Sequence, residues 1–538
     1  MRDLNVDVAI IGGGLAGNLL ARHLRRALPE LSVAVFDRTR ESSLKVGEST
    51  VEIASHYLGR RLGLSTYLYD QHLPKNGLRF FFDTPGRDAE LTAMSELGSY
   101  SFPPLPAFQV DRARLEADLW AMNEEDGVDL HLGVRVDDVR IDDRGPGKGP
   151  RRHRFRATPV RPRGAEEDDD AAAADETIEV RCRWLVDASG RASVLARHLG
   201  LRKPSSHGVA SAWGRFCGVA DMDDIAEPAW NARVRFTHRT LSTNHFCYPG
   251  YWIWFIPIGR GLTSVGVVAE HANFTDAMRK PEGFQAFLRR HRAPASLLRD
   301  AGLVDVMAFG QLAYGTKRFF SPDGWFLTGE SAAFTDPFYS PGTDFIALEN
   351  DYIVDCIRRE VAGDSREELA ERVTTLDQYM RYRFKSSMLI YKHLYPILGS
   401  YEILSLKWAF DIASYYNMWG HYYITDQHLD LRTLRTELRR QVPILDGQEQ
   451  FAALFHKLGV ELSRQGNYYR SNLGEFTYGI EHIDWLSEIF TPRSKRRIME
   501  VNVSLFNLVR ERAHRILYGA DVAVPPLDLA AFSDMALI

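Results

Sequence analysis

The sequence predicts a mixed α/β protein with a Rossmann-like dinucleotide-binding domain, a second β-sheet and a helical C-terminal lobe. The N-terminal segment has the order strand, glycine-rich turn, helix, strand. Residues 205–320 alternate apolar and polar side chains, which is typical of half-buried strands. Beyond them, the apolar and aromatic spacing becomes helical. We therefore divide the chain into a dinucleotide-binding core, residues 1–363, and a helical lobe, residues 364–538.

The N-terminal segment carries the strongest local signal. Val6–Ile11 is predicted to be a buried strand, and the turn Gly12–Gly17 opens a helix that continues to Leu28. A second strand follows over Ser32–Phe36. A glycine-rich turn between a strand and a helix is the context that a dinucleotide fingerprint requires. This segment alone does not separate NAD from FAD.

Each residue of this fingerprint has a physical task. Gly12 makes the tight turn, and Gly14 lets a pyrophosphate approach the helix N-terminus. Gly17 lets the helix pack closely on the strand, and Ala16 lies in the same turn. Asp37, about 20 residues further on, is placed to accept the adenosine ribose hydroxyls. We predict all five as cofactor-binding residues.

Composition limits the classes of function. At 538 residues the chain is long for one core, and its 45% hydrophobic and 25% charged content is ordinary for a globular protein. A net charge of −5 argues against nucleic-acid or membrane partners. The four cysteines are widely separated, which argues against a metal site and favours a reducing cytoplasm. We expect no signal peptide and no membrane-spanning segment.

Residues 144–175 have low complexity. A Gly/Pro/Arg-rich half is followed by an acidic run and four alanines. Because such a composition cannot bury a core, we predict a disordered insertion between two strands of the first domain. The basic half lacks interleaved aromatic residues, so it does not indicate nucleic-acid binding.

Three further segments resemble the class of FAD proteins that includes the aromatic hydroxylases. They are Gln109–Arg112, which precedes a leucine-spaced helix, Leu185–Gly190, and Trp325–Glu330. The last two end predicted strands. The resemblance implies FAD as the cofactor, and it implies that residues 205–320 form the sheet that covers the flavin.

The same resemblance assigns flavin contacts to individual residues. Arg112 matches the arginine that contacts the flavin, and Asp187 lies at the usual place beside the adenine half. Gly329 and Glu330 match the Gly-Asp pair that binds the ribityl chain. The glutamate keeps the charge of the usual aspartate but has a longer reach.

Four motifs, in this order along the chain, resemble the flavin-dependent halogenases. The first is the Gly-Glu-Ser-Thr turn of Lys45–Thr50, and the second is Lys75 within Pro74–Phe82, which is predicted to be a strand. The third is the W-x-W-x-I-P segment Trp252–Pro257, and the fourth is the F-x-D-P-x-x-S-x-G segment Phe334–Gly342. The resemblance covers about residues 1–360, apart from the low-complexity segment.

The resemblance implies the catalytic residues Lys75, Ser340, Trp252 and Trp254. The two tryptophans share one face of a strand and would form the wall between flavin and substrate. Lys75 would receive hypohalous acid beyond this wall, either as a hydrogen-bond donor or as an amine that forms a haloamine. A lysine near an apolar wall can have a lowered pKa, which permits either role. Arg79 is a rival cation on the same predicted strand.

The resemblance also implies contacts around the flavin ring. Ser49, Thr50 and Pro337 are expected beside the cofactor. Gly342 and Thr343 are expected to contact both the cofactor and the halide through their amides at the start of the helix Asp344–Val361.

Two departures from the tryptophan halogenases concern the last motif. Tyr339 stands where those enzymes have a glutamate that helps to hold the substrate, so free tryptophan is not the expected substrate. Pro341 has no N–H to offer the halide. Each motif residue also has a structural explanation: core packing for the tryptophans, an exposed strand lysine for Lys75, a turn hydroxyl for Ser340.

The C-terminal lobe is rich in tyrosine, tryptophan and methionine at helical spacing, over residues 376–398 and 405–426. We predict that it caps the substrate pocket, with the alternative that it is only a packed helical core. The predicted substrate contacts are Phe338, Tyr339, Tyr416 and Trp419.

The resemblance implies an FADH2-dependent halogenase that uses oxygen and chloride or bromide in secondary metabolism, such as antibiotic biosynthesis. Its substrate would be an electron-rich, phenolic aromatic compound, free or tethered to a carrier protein. Because a second dinucleotide fingerprint is lacking, reduced flavin is expected from a separate NAD(P)H-dependent flavin reductase. The alternatives are a flavin monooxygenase that hydroxylates or epoxidises, and a non-catalytic flavin-binding relative. The sequence leaves halide preference and the choice between monomer and homodimer open.

Overall fold

The structure is a computed structural model that describes residues 2–99, 102–103, 105–142, 153–160, 176–477, 484–519, 523–524 and 527. In this part of the chain the strands are β1 Arg2–Ile11, β2 Val33–Asp37, β3 Leu73–Pro74, β4 Leu78–Phe82, β5 Ser95–Gly98, β6 Phe108–Gln109, β7 Asp129–Leu132, β8 Val134–Arg140, β9 His153–Pro159, β10 Ile178–Asp187, β11 Arg202–Pro204, β12 Val209–Cys217, β13 Thr243–Tyr248, β14 Tyr251–Gly259, β15 Leu262–Glu270, β16 Gly302–Leu303, β17 Met307–Phe309, β18 Tyr314–Thr316, β19 Phe320–Ser321, β20 Trp325–Leu327 and β21 Phe476–Thr477. The α-helices are α1 Leu15–Ala27, α2 Glu52–His56, α3 Ser65–Gln71, α4 Arg112–Glu125, α5 Val194–His198, α6 Pro228–Asn231, α7 Pro281–Leu288, α8 Arg292–Leu297, α9 Gly342–Val361, α10 Arg366–Tyr391, α11 Tyr401–Tyr415, α12 His421–Ile424, α13 Leu431–Arg439, α14 Gln441–Arg464 and α15 Lys495–Tyr518. The predicted mixed α/β class is confirmed.

The first sheet has the strand order β19-β20-β10-β1-β2-β7. Strand β1 runs parallel to both of its neighbours, and Val8 pairs with Trp184 on one side and Val33 on the other. Side chains of β1 such as Ala9 and Ile10 are fully buried, as expected for a parallel strand covered on both faces. The predicted strand–turn–helix–strand order is therefore the centre of this sheet.

The predicted disordered insertion at residues 144–175 is wrong for the residues at its centre, His153–Pro159. Strand β9 lies inside it and pairs antiparallel with β8 and β10. The reason is local alternation: His153, Phe155 and Ala157 are buried, whereas Arg154 and Arg156 are exposed. Residues 144–152 and 161–175 lie outside the described residues.

The second sheet covers the first domain, in the order β16-β12-β15-β14-β13-β4-β5-β21, with β17 beside β12. It extends beyond residues 205–320 because β13 pairs in parallel with β4. The alternation that predicts strands over residues 205–320 includes Arg233–Phe236, but no strand forms there. The single strand predicted over Pro74–Phe82 is also wrong, since the chain turns at Gly77, where φ is +83°.

The C-terminal lobe is mainly helical, as predicted, although β21 returns to pair with β5 of the second sheet. Helix α10 packs against α13 and α14, and α11 packs against α14 and α15. Between α11 and α12 the backbone forms a π-helical turn, Tyr416–Gly420, a feature that is frequent at functional sites. None of the helices in the described ranges is long and apolar enough to cross a bilayer. The boundary at residue 363 stays a prediction.

Candidate active site

The glycine-rich turn leaves room for a phosphate at one position only. A Cβ on Gly12, where φ is +110°, would lie 2.3 Å from the carbonyl oxygen of Ala188. A Cβ on Gly17 would lie 1.9 Å from the carbonyl oxygen of Gly12. By contrast, a Cβ on Gly14 meets no protein atom within 4 Å. Gly12 and Gly17 therefore serve packing, while Gly14 opens space at the N-terminus of α1, which fits a pyrophosphate.

Two predicted cofactor carboxylates are engaged with the backbone. Asp37 accepts from the Gly13 amide at 2.6 Å and from the Thr39 amide and hydroxyl at 2.7 Å. Asp187 is fully buried and accepts from the amides of Ser189 and Leu195, at 2.9 and 2.7 Å. Both carboxylates hold the turns around the nucleotide site. A direct contact of Asp187 with the cofactor, as predicted from sequence, does not fit its burial.

A first cavity opens beyond this turn, between the two sheets. It is lined by most of the predicted flavin and catalytic residues: Ser49, Arg112, Trp252, Trp254, Gly329, Glu330, Pro337, Ser340, Gly342 and Thr343. Thr50 is an exception, because its hydroxyl is buried and bonds the backbone of Phe108.

Charged side chains at the mouth of the first cavity are fixed by neighbouring groups. Arg112 pairs with Glu116 and also donates to the carbonyl oxygen of Val46 at 3.0 Å. The Gly329 amide donates to Glu349 at 2.5 Å, which positions the turn that carries Glu330. Burial raises the pKa of Glu349 to about 8. The residues around Gly14, Arg112 and Glu330 thus suit a dinucleotide that carries a flavin.

A second cavity of about 440 Å³ lies on the other side of two turns, residues 47–52 and 338–342. It is bounded by Lys75, Tyr339, Tyr416 and Trp419, and Pro341 borders both cavities. The structure thus brings the predicted lysine and three of the four predicted substrate residues together. Phe338, the fourth, is fully buried and lies within the partition.

The partition differs from the predicted tryptophan wall. Trp252 and Trp254 line the first cavity but not the second. The Trp252 ring lies 5.2 Å from that of Phe338, centroid to centroid, and Phe338 lies 4.8 Å from Tyr339, which faces the second cavity. Trp252 therefore supports the partition, and the two turns form it. Ser340 sits in the partition with φ of +56°, a conformation that a non-glycine residue rarely adopts.

Lys75 connects the two cavities. Its side chain is only 4% exposed, and its Nζ donates to Ser49 Oγ and to the Thr50 carbonyl oxygen, both at 2.8 Å. Ser49 lines the first cavity, whereas Lys75 lines the second. Burial lowers the pKa of Lys75 to about 8, against the opposing effect of the carboxylates of Glu52 and Asp344.

Arg79, the rival cation, belongs elsewhere. It is fully buried, pairs with Glu96 and donates to the Ser99 carbonyl oxygen at 2.7 Å. Arg239 pairs with the same glutamate. Because the turn at Gly77 separates Lys75 from β4, the two cations do not share a strand face.

The predicted halide position lies at the start of α9. Gly342 and Thr343 begin this helix and line the first cavity, and Pro341 precedes them without a side-chain cap. First-turn amides have no partner within a helix, so this end favours an anion. A halide contact there stays a prediction.

Several residues of the second cavity were not predicted from sequence. Asp344 accepts from the Ala54 amide and the Tyr415 hydroxyl, and burial raises its pKa to about 7. Glu52 accepts from the Tyr416 hydroxyl at 2.7 Å, and Arg383 reaches the cavity from α10. These positions belong to no motif and face the cavity only once α2, α9 and α10 have packed together.

The chain is similar to known FAD-binding proteins and halogenases. Residues 5–244 match the model of an FAD binding domain. A flavin-dependent halogenase, chlA of Dictyostelium discoideum, is 29% identical over 461 residues, which are 79% of this chain and 71% of that protein. A pyrrole-2-carbonyl-[peptidyl-carrier protein] chlorinase of Pseudomonas fluorescens is 26% identical over 65% of this chain and 75% of its own length.

Solved structures share the fold over most of the chain. The halogenase PltM in complex with phloroglucinol and FAD aligns with a TM-score of 0.64 at 16% identity, covering 94% of this chain and 96% of that one. The flavin-dependent brominase Bmp2 aligns with a TM-score of 0.56 at 21% identity, covering 73% of this chain and 87% of that one.

Two glycine variants separate folding from cofactor binding. We expect Gly14→Ala to fold normally but to bind FAD about tenfold or more weakly, because the added methyl occupies only the open space. Gly17→Ala should impair folding itself, because its Cβ would collide with the Gly12 carbonyl. Thermal unfolding of the apoprotein and fluorescence titration with FAD test both. Equal FAD affinity for Gly14→Ala and the unchanged protein would contradict this assignment.

Proposed function

This chain belongs to the flavin-dependent halogenase family, and we propose that it uses reduced FAD, oxygen and chloride or bromide to halogenate an electron-rich, phenolic compound. The observation that carries the proposal is the position of Lys75. It is buried on the partition, bonded to a residue of the first cavity and facing the second. A hydroxylase would instead hold its substrate in the same cavity as the flavin.

Reduced FAD (FADH2), which the residues around Gly14, Arg112 and Glu330 would hold, would supply the two electrons that reduce oxygen. In the proposed reaction one oxygen atom leaves as water and the other combines with the halide as hypohalous acid, with one proton taken up. The aromatic carbon then attacks the halogen, and the hydroxyl group leaves as a second water with the proton that the ring carbon releases. Atoms and charge balance without a further oxidant.

The residues of this chain have separate tasks in this scheme. Ser340 and the turn around it keep the aromatic substrate out of the first cavity. The Lys75 ammonium donates a hydrogen bond to the oxygen of hypohalous acid, which makes the halogen more electrophilic. Two of the three ammonium N–H groups already donate to Ser49 and Thr50, so the direction of the third is fixed. Carboxylates that face the second cavity, such as Glu52 and Asp344, accept the ring proton.

The second cavity suits a phenol. Tyr339 donates to Asp411 at 2.6 Å and Tyr416 donates to Glu52, so hydroxyl-to-carboxylate pairs already form its walls. Trp408 and Trp419 supply aromatic faces. A phenol needs no glutamate at position 339, because its own oxygen stabilises the cationic ring. Natural-product halogenation of a free or carrier-tethered substrate, with a separate flavin reductase, completes the proposal.

The first test is product formation. The holoprotein is supplied with chemically reduced FAD, oxygen and bromide, and products from a panel of phenols, a pyrrole and free tryptophan are analysed by mass spectrometry. We expect brominated products with phenols and none with free tryptophan. Hydroxylated products in place of brominated ones would overturn the proposal.

Removing the Lys75 side chain should abolish halogenation but leave FADH2 oxidation unchanged. We expect Lys75→Ala to lower the yield of brominated phenol by about 100-fold or more, in the range typical of lost general-acid catalysis, while the rate of FADH2 oxidation stays unchanged. Lys392→Ala, at an exposed lysine paired with Glu449, is the matched control and should retain full yield. Retained halogenation in Lys75→Ala would show that this lysine is not catalytic.

The pH profile distinguishes the two roles of Lys75. Its lowered pKa of about 8 means that the ammonium is present below this pH and is lost above it. As a hydrogen-bond donor it should give a product yield per FADH2 oxidised that falls as pH rises through about 8. Asp344, with a pKa near 7, faces the same cavity, so the Lys75→Ala background is measured in parallel. A yield that rises through pH 8 would instead require the neutral amine and a haloamine.

A further inference from the structure

Among the residues that the structure describes, one buried cation of the second cavity has neither an ion pair nor a hydrogen bond. Arg383 projects from α10, is 2% exposed and lines this cavity. Its Nε and Nη1 atoms are buried, and neither has a hydrogen-bond partner within the described residues. Its guanidinium lies 3.6 Å from the centroid of the Trp419 ring, a cation–π contact that fixes its plane.

The other charges of this cavity are already paired. Lys75 donates to Ser49 and Thr50, and Asp411 is paired with Lys407 at 2.6 Å. Glu52 accepts from Tyr416.

Asp344 is the carboxylate that most raises the pKa of Arg383, but its oxygens are bonded to other groups. Its two oxygens accept from the Ala54 amide at 2.8 Å and the Tyr415 hydroxyl at 2.9 Å. No ion pair between Asp344 and Arg383 occurs in the part of the chain that is described. Burial lowers the pKa of Arg383 to about 10, so the guanidinium remains charged at neutral pH.

A buried guanidinium without hydrogen-bond acceptors destabilises the protein, unless a ligand supplies those acceptors. A carboxylate is the natural complement, because the guanidinium fork presents parallel N–H donors to two oxygens. Trp419 adds an indole Nε1 donor that is also buried without a partner within the described residues. Around Arg383 the cavity wall thus presents a positive charge and donors, whereas Asp344, the nearby carboxylate, already accepts from Ala54 and Tyr415.

We propose that Arg383 binds a carboxylate carried by the aromatic substrate, so that the preferred substrate is a free hydroxylated aromatic acid. This rests on the proposed function of the second cavity. Linking the acid to a carrier protein as a thioester removes the charge that Arg383 recognises, so the free acid is favoured over a tethered form. An ionised phenol oxygen presents the same anionic chemistry and is separated from the carboxylate by the choice of ligands.

The ligand series is a dihydroxybenzoate, its methyl ester and the parent resorcinol. Binding is measured by calorimetry on the holoprotein with oxidised FAD, so that no turnover is needed, and kcat/KM for bromination is measured in parallel. We expect the free acid to bind at least tenfold more tightly than the ester and resorcinol. Equal binding of acid and ester would overturn the proposal, and preference for resorcinol near its ionisation pH would assign the site to a phenolate.

Variants of Arg383 identify the group responsible. Arg383→Met should lower the affinity for the acid at least tenfold and leave that for the ester within about threefold. Arg383→Lys, which keeps the charge but loses the fork, should give an intermediate affinity for the acid. The control Arg381→Met removes an exposed arginine from the same helix, paired with Asp377 at 3.0 Å. It should change the affinity for neither the acid nor the ester. Parallel losses for acid and ester in Arg383→Met would contradict the proposal.

The two proposals fail in distinguishable ways. If the protein brominates none of these compounds yet binds the acid through Arg383, only the proposed reaction is wrong. If it brominates all three with equal kcat/KM and Arg383→Met has no effect on binding, only the carboxylate site is wrong. FAD content and thermal unfolding of each variant show that the compared proteins are folded; if Arg383→Met is not, the comparison of acid with ester in the unchanged protein and Arg383→Lys decides.

Discussion

The arrangement of the site depends on the bonds between the Lys75 ammonium and the turn that carries Ser49 and Thr50. These two hydrogen bonds hold a buried cation against the segment that separates the cavities. Because the lysine is almost fully buried, the backbone carbonyl and hydroxyl that accept from it offset part of its desolvation. A partition fixed in this way can exclude a ring from one cavity while leaving a charged donor at the boundary.

The covering sheet and the helical lobe serve this partition from opposite sides. Trp252, on strand β14, packs against Phe338 and donates to the Tyr395 hydroxyl of the helical lobe. Tyr395 in turn donates to Asp336 at 2.6 Å, in the segment that leads into the partition. The W-x-W strand is therefore a support that connects the sheet, the partition and the lobe, which a wall of two side chains alone would not do.

Much of the fold could be predicted from the sequence, because the patterns that predict it involve residues close together along the chain. The fingerprint at Gly12–Gly17 and the helical spacing of the lobe need only neighbours along the chain, and both are observed. Strand β9 was missed because its short alternation is flanked by low-complexity sequence. The family motifs identified Lys75, although its strand assignment was wrong, since a turn at Gly77 interrupts the pattern.

The residues that shape the second cavity could not be predicted in the same way. Arg383 lies within a helix, between the cations Arg381 and Lys385, and nothing local distinguishes it. Its lack of a partner becomes visible only when α10 packs beside Trp419 and Asp344. Asp187 shows the opposite error: its motif predicts a ligand contact, but its oxygens bond the turn.

In the proposed reaction, the partition keeps the aromatic substrate apart from the oxygen that reduced flavin activates. The most direct measurement is the mass spectrum of phenol recovered after FADH2 oxidation under isotopically labelled oxygen, ¹⁸O2, with all halide removed. We expect FADH2 to be consumed while the phenol gains no labelled oxygen, because the partition prevents direct transfer. Incorporation of labelled oxygen into the ring in proportion to the FADH2 consumed would contradict it.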